Sequence, residues 1–325
     1  MELYRRAPTS PRLSDVFRVV PRVPSACQER LGSGSEWKQR NAILGGLLTS
    51  EHPWLRYVAL GDSFTEGIGD PEPESVGGNR GWADRVAEVL AESAPDFAYA
   101  NLAVRGKLLH QIVTEQIEPA IALKPDLITI SAGGNDVIRP GSDPDALAAE
   151  FGTALTRLAE TGATIVVFTG VDVGFSPVFQ RIRGKVAIYN ENLRRVAAQH
   201  DALIADQWAL TDIQDARMWD RDRLHLAPLG HHTVARMVLR TLGVENDLEP
   251  MKPEPLPKTT WRAARSEDLV WAREYFVPWV IRRIRRVSSG DNILPKRPDV
   301  GPFLSRAAVD AAGADVSATS GDPVP

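Results

Sequence analysis

The chain has 325 residues, 43% hydrophobic and 25% charged, which is material for one sizeable core in an ordinary globular protein. Its 42 acidic residues outnumber 38 basic ones, a formal net charge of −4, and this excludes any whole-chain attraction to nucleic acid. The single Cys27 excludes an internal disulfide and cysteine-rich zinc sites; with no run of ~18 apolar residues and no signal-peptide core near the start, the expected location is the cytoplasm.

Residues 1–50 scatter Pro, Ser and Arg without periodicity and read as a loosely ordered extension. From 54 to 244 the pattern changes. "RYVALG", "FAYANLA", "DLITISAG", "ATIVVFTG" and "DALIAD" have the length and content of buried strands, and amphipathic helical stretches such as "GWADRVAEVLAES" separate them. Regular alternation of strand and helix implies a parallel sheet covered on both faces. The expected fold is therefore a three-layer α/β/α sandwich with a flavodoxin-like parallel sheet of about five strands.

Residues 245–265 form a Pro-rich stretch with the character of a linker, and 266–288 a basic amphipathic helical segment. Pro278 is expected to divide that segment. In its second half Val277, Val280, Ile281, Ile284 and Val287 form one stripe, opposite Arg282, Arg283, Arg285 and Arg286. Such a helix suits docking on protein, the favoured expectation, or an anionic membrane surface with Trp271 and Trp279 at the interface. Residues 289–325 read as a disordered tail.

In open α/β sheets the ligand crevice lies beyond the strand carboxyl ends. There the sequence places Gly61-Asp62-Ser63, Gly106, Gly133-Gly134-Asn135-Asp136 and, after the last strand, Asp222 and His225. The glycine-rich turn after the first strand is neither of two familiar phosphate cradles. Ile68 stands where a Walker loop needs Lys, and Glu72 where a dinucleotide fingerprint needs Gly. Taken alone, Gly-Asp-Ser after a strand is also the composition of a plain turn with a helix cap. His110, His200 and His231 lie on helix patterns and read as surface or capping residues, His52 lies outside the domain, and no H-E-x-x-H or acidic cluster suggests a metal.

The blocks "GDSFTEG", "NLAVRG", "GGND" and "DRLH", in this order and at these strand ends, resemble those of the GDSL (SGNH) hydrolase family over residues 54–244. The resemblance implies a catalytic Ser63, Asp222 and His225, with an oxyanion hole from the Ser63 and Gly106 N–H groups and the Asn135 amide. It implies a metal-independent serine hydrolase, without cofactor, that cleaves a small-molecule or lipid carboxylic ester or thioester through an acyl-enzyme. Acyl transfer and carbohydrate deacetylation use the same triad and remain alternatives, and so does a non-enzymatic partner-binding role through the C-terminal helix. Phe175, Val178 and Phe179 in "GVDVGFSPVFQ" are candidates for an acyl pocket, and Arg105 and Arg139 for contacts to an anionic substrate.

Overall fold

The computed structural model describes residues 52–255, 260–284 and 288–303, which fall within one compact unit, Thr49–Pro325. The expected N-terminal extension, and the stretch beyond 303, lie outside the described residues. In chain order the elements are β1 (Arg56–Gly61), α1 (Ser63–Glu66), α2 (Gly81–Ser93), β2 (Ala98–Asn101), α3 (Leu109–Ala122), β3 (Leu127–Ser131), α4 (Gly134–Val137) and α5 (Pro144–Ala159). There follow β4 (Thr164–Phe168), α6 (Arg183–Gln199), β5 (Leu203–Ala205), α7 (Pro228–Leu242), α8 (Trp261–Trp271), α9 (Val277–Ile284) and β6 (Arg297–Pro302).

The sheet order is β5-β4-β3-β1-β2-β6. The first five strands are parallel, with Tyr57 opposite Leu127 on one side and Tyr99 on the other, so β1 is central. Its two-residue alternation builds both cores. Tyr57 and Ala59 pack with Trp82, Val86 and Leu90 of α2 and Val234, Val238 and Leu239 of α7. Val58 and Leu60 pack on the other face with Leu109 and Ile112 of α3, Phe151 and Leu155 of α5, and Tyr189 and Leu193 of α6. These are the three layers expected.

The sheet does not stop at five strands. β6 runs antiparallel to β2, with Ala98 opposite Pro302 and Asn101 opposite Arg297, inside the stretch read as a tail. Its prolines lower its strand character in sequence, yet an edge strand tolerates residues without a ladder donor. Lys296 anchors it: the ammonium donates to Asn79 O (3.1 Å), Arg80 O (3.0 Å) and Asp84 Oδ2 (3.0 Å).

The C-terminal helical segment also differs from expectation. α8 begins at Trp261, within the stretch read as linker, and a π-helical turn, Ala272–Phe276, carries the chain on into α9. Pro278 sits at the start of α9, where the wide turn before it absorbs its missing N–H, so the path stays helical instead of breaking.

Candidate active site

β1 ends at Gly61, whose φ of +151° only glycine adopts without strain; a Cβ there would lie 2.6 Å from both Ser131 O and Thr65 Oγ1. Gln116 brackets this backbone, accepting from Gly61 N (2.9 Å) and donating to Gly61 O (2.8 Å). The chain then turns into α1, with the Asp62 carboxylate capping Phe64 N at 3.1 Å and Ser63 as the first helical residue.

Asp62 does more than cap. Asn135, on α4 beyond β3, donates its amide to Asp62 Oδ2 (2.9 Å) and to Lys107 O (3.2 Å), so the caps of two strand ends are tied together. Burial pushes the Asp62 carboxyl up to about 6, against the opposing pull of the Phe64 N–H and of His225. Asp136 accepts from Leu109 N (2.9 Å) and joins α4 to the start of α3. Both aspartates are network residues.

Gly106 follows β2 with φ +73°. Its loop is held by buried Glu66, which accepts from Arg105 N (2.6 Å) and Arg105 Nε (2.9 Å) and pairs with the rest of the guanidinium. Arg105 is thus paired internally, and the acid that neutralises it lies within the GDSFTEG block itself.

After β5 a turn carries Asp222 and His225. Asp222 Oδ1 accepts from Leu224 N (2.8 Å) and His225 N (3.0 Å), while Oδ2 meets His225 Nδ1 at 2.6 Å. Burial raises the Asp222 carboxyl, but the His225 ring and those two N–H groups outweigh it and hold the group below the ordinary carboxylate range. This pairing places the ring proton on Nδ1 and leaves Nε2 as a base. Asp220 holds the turn through its backbone, donating to His225 O (2.8 Å) and accepting from Arg223 N (2.8 Å).

Ser63, Asn135, Leu224 and His225 border two cavities. The first, about 260 Å³, is walled mainly by apolar groups, among them Phe168, Phe175, Phe179, Ile182 and Trp219. The second, about 500 Å³, includes Gly106, Gln111, Arg139, Asp222, Glu274 and Arg282. Phe175 and Phe179 border the first cavity, and Val178 does not. Among the described residues Ser63 Oγ makes no hydrogen bond; serine–histidine contacts of this kind are often long without substrate and tighten when it binds.

Sequence reasoning missed the aromatic wall. Trp271 Nε1 donates to Asp222 O at 2.9 Å, and Arg223 stacks over the Trp271 ring at 4.8 Å. Trp279 borders both cavities and meets the Phe179 ring edge-on at 6.1 Å. The C-terminal helices pack on the catalytic unit through these tryptophans, whereas Val277 and Ile281 of the expected stripe are exposed. The signal lay in "WAREYFVPW", whose aromatic content marked a buried face before the aliphatic stripe did.

His231 is also corrected: it is fully buried, accepting from Trp82 N (3.2 Å) and bonding Ile68 O (3.1 Å), and burial lowers its pKa to about 4. His52 packs on this unit, its ring stacked on Trp54 and bonded to Leu90 O at 2.8 Å. Among the described residues no three His, Cys, Asp or Glu side chains cluster as a metal site, and no helix is long and apolar enough to cross a membrane.

Solved structures share this architecture. LAE5, an alpha/beta hydrolase enzyme from the metagenome of Lake Arreo, Spain, matches with a TM-score of 0.51 at 22% identity, over 60% of this chain and 98% of its own. A catalytic mutant of Axe2, an acetylxylan esterase from Geobacillus stearothermophilus, matches with a TM-score of 0.50 at 21% identity, over 58% of this chain and 94% of its own. No curated protein matches the sequence. The model of the GDSL-like Lipase/Acylhydrolase family matches residues 59–233, from the second half of β1 through Asp222 and His225 to the start of α7. More than half of the sequence thus follows the family pattern, with the sheet and strand ends that pattern requires, and the chain belongs to the GDSL-like Lipase/Acylhydrolase family as a carboxylic ester hydrolase.

Proposed function

We propose that the protein hydrolyses esters of an apolar acyl group longer than acetyl, with Ser63 as nucleophile, His225 as general base and Asp222 as the group that orients it. The observation that carries this reading is the 2.6 Å Asp222–His225 contact beside a cavity that Ser63 and Asn135 also border. A serine hydroxyl needs a base near neutral pKa, and an imidazole with Nδ1 already committed offers Nε2.

Ser63 Oγ attacks the ester carbonyl as His225 Nε2 takes its proton, and the oxyanion is received by the Ser63 and Gly106 N–H groups and the Asn135 amide. To donate there, Asn135 gives up its longer contact, the 3.2 Å bond to Lys107 O, and keeps Asp62. The intermediate then collapses, the alcohol departs with the proton from His225, and water repeats the sequence on the acyl-enzyme to release the acid. The apolar lining of the 260 Å³ cavity favours a hydrocarbon acyl group over acetyl, which would leave most of those walls in contact with water.

The test is labelling with a fluorophosphonate together with Ser63→Ala. The wild-type protein should label and hydrolyse p-nitrophenyl butyrate, and the variant should lose both, with kcat down by roughly 10⁴–10⁶. Turnover by the variant at near the wild-type rate would refute Ser63 as nucleophile.

A further inference from the structure

α8, α9 and β6 lie beyond residue 233, where the family match stops, and this region lines the site through Glu274, Tyr275, Trp279, Arg282, Ser288 and Asp291. The segment is fastened on two sides of Ser63. At one end Trp271 Nε1 holds Asp222 O, and Asp268 pairs with Arg223 at 2.8 Å. At the other, Ser288 and Gly290 close over the Arg105–Gly106 loop: a Cβ on Gly106 would lie 2.4 Å from Ser288 Oγ, and one on Gly290 1.9 Å from Arg105 O. Between these attachments runs the stacked aromatic series Trp271, Phe276 and Trp279, with ring centroids 5.5 and 5.9 Å apart.

Trp279 ends that series at the place where the two cavities meet, and the cavities differ in chemistry. Phe175 and Phe179 line the first cavity with Trp279, and Gln111, Arg139, Glu274 and Arg282 line the second. Neither Arg139 nor Arg282 has an ion-pair partner among the described residues. An ester positioned at Ser63 has two arms, and a site with one apolar and one polar cavity, both bordered by the Trp279 indole, offers each arm a different surface.

We propose that Trp279 is a specificity-determining residue that confines the acyl arm to the apolar cavity and leaves the polar cavity to a hydrogen-bonding alcohol, so that the substrates are medium-chain esters of polar alcohols. This rests on the serine-hydrolase reading above. The 260 Å³ cavity, walled mainly by apolar side chains, has room for a hydrocarbon arm well beyond acetyl. An arm that outgrows this cavity is turned back toward its border with the polar one, where the indole stands. The alcohol arm meets a surface whose donors and acceptors reward hydroxyl groups and leave an alkyl group facing unsatisfied polar partners.

The experiment compares kcat/KM for p-nitrophenyl octanoate and dodecanoate, and for 1-octanoylglycerol and ethyl octanoate, in wild type, Trp279→Ala, Trp279→Leu and Arg282→Ala. Wild type should prefer octanoate over dodecanoate and the glycerol ester over the ethyl ester. Trp279→Ala should raise the dodecanoate-to-octanoate ratio about tenfold, the scale on which a hydrophobic pocket discriminates chain length. Trp279→Leu, which keeps an apolar packing group, gives the same direction should the alanine variant fold poorly. Arg282→Ala should reduce the preference for the glycerol ester severalfold. A dodecanoate-to-octanoate ratio within twofold of wild type in both Trp279 variants overturns the assignment. If wild type reacts with fluorophosphonate and that ratio does not move, the role of Trp279 alone is wrong; absence of both labelling and hydrolysis in wild type is the failure of the serine-hydrolase reading.

Discussion

Replacement of Lys296 by Met tests how far the C-terminal strand is part of the fold. The Lys296 and Asp84 side chains are 2% and 3% exposed, and the ammonium has three acceptors at 3.0–3.1 Å while Asp84 also accepts from Tyr99 OH at 2.9 Å. Methionine fills similar volume but leaves a buried carboxylate with one donor and two peptide carbonyls with none. Breaking a buried pair from one side costs about 3–5 kcal/mol. Burial already pushes the Asp84 carboxyl above its ordinary range, so protonation of the orphaned acid keeps the cost inside that interval. At about 2–4 °C per kcal/mol for a domain of 150–250 residues, thermal melting should fall by roughly 6–20 °C. Asp84→Asn in the same chain removes the orphaned charge, and the double variant should melt well above the sum of the two single losses, a coupling readable in a double-mutant cycle. A Lys296→Met melting temperature within about 2 °C of wild type, or additive losses in the double variant, would refute the reasoning.

Glu66→Gln keeps the size of the side chain but weakens its grip on Arg105, so Gly106 N–H should drift from the oxyanion position; kcat should fall on the order of 10–100-fold with KM little changed, because that contact exists only in the transition state. A rise in KM at constant kcat in steady-state kinetics would assign Glu66 to substrate binding instead. Asp62→Asn addresses pH. With a folded pKa of about 6 against a usual 3.8, the native state binds more protons between those values, so this group's contribution to stability is greatest at low pH and is lost as pH rises through 6, by about 3 kcal/mol. Relative to wild type, Asp62→Asn should therefore gain stability between pH 4 and pH 7 in denaturant titrations, and a constant difference across that range would count against a buried, raised Asp62.

The grouping of the candidate residues was legible in sequence because they sit at places that topology makes predictable. Ser63 and Asn135 follow the carboxyl ends of adjacent strands β1 and β3, and Asp222 and His225 need only a three-residue turn to meet, so local spacing carried the geometry. The two cores were legible for the same reason, as the alternation of Tyr57 and Ala59 with Val58 and Leu60 is a property of one short segment. What escaped depends on distant partners. Nothing within residues 296–302 reveals that Asp84 is short of a cation or that β2 has a free edge, and proline content argued for a tail. The aliphatic stripe on α9 has the cleaner helical period, but the face that packs is the aromatic one, which meets Phe179 and the Asp222 carbonyl. His231 is the same case in miniature: its burial follows from Ile68 and Trp82, which no helical wheel contains.

The pairing of Ala98 with Pro302 has a consequence for biosynthesis. During translation β2 leaves the ribosome about two hundred residues before the strand that covers it, which at 5–20 residues per second is on the order of 10–40 s. Through that interval the central strands can assemble while the outer edge of β2 stays open, a template for another nascent chain's edge. The same late residues bring Ser288 and Gly290 onto the Arg105–Gly106 loop. Closure of the sheet against aggregation and enclosure of the ester site thus become one event, and a ribosome that stalls after α7 releases a product that lacks both.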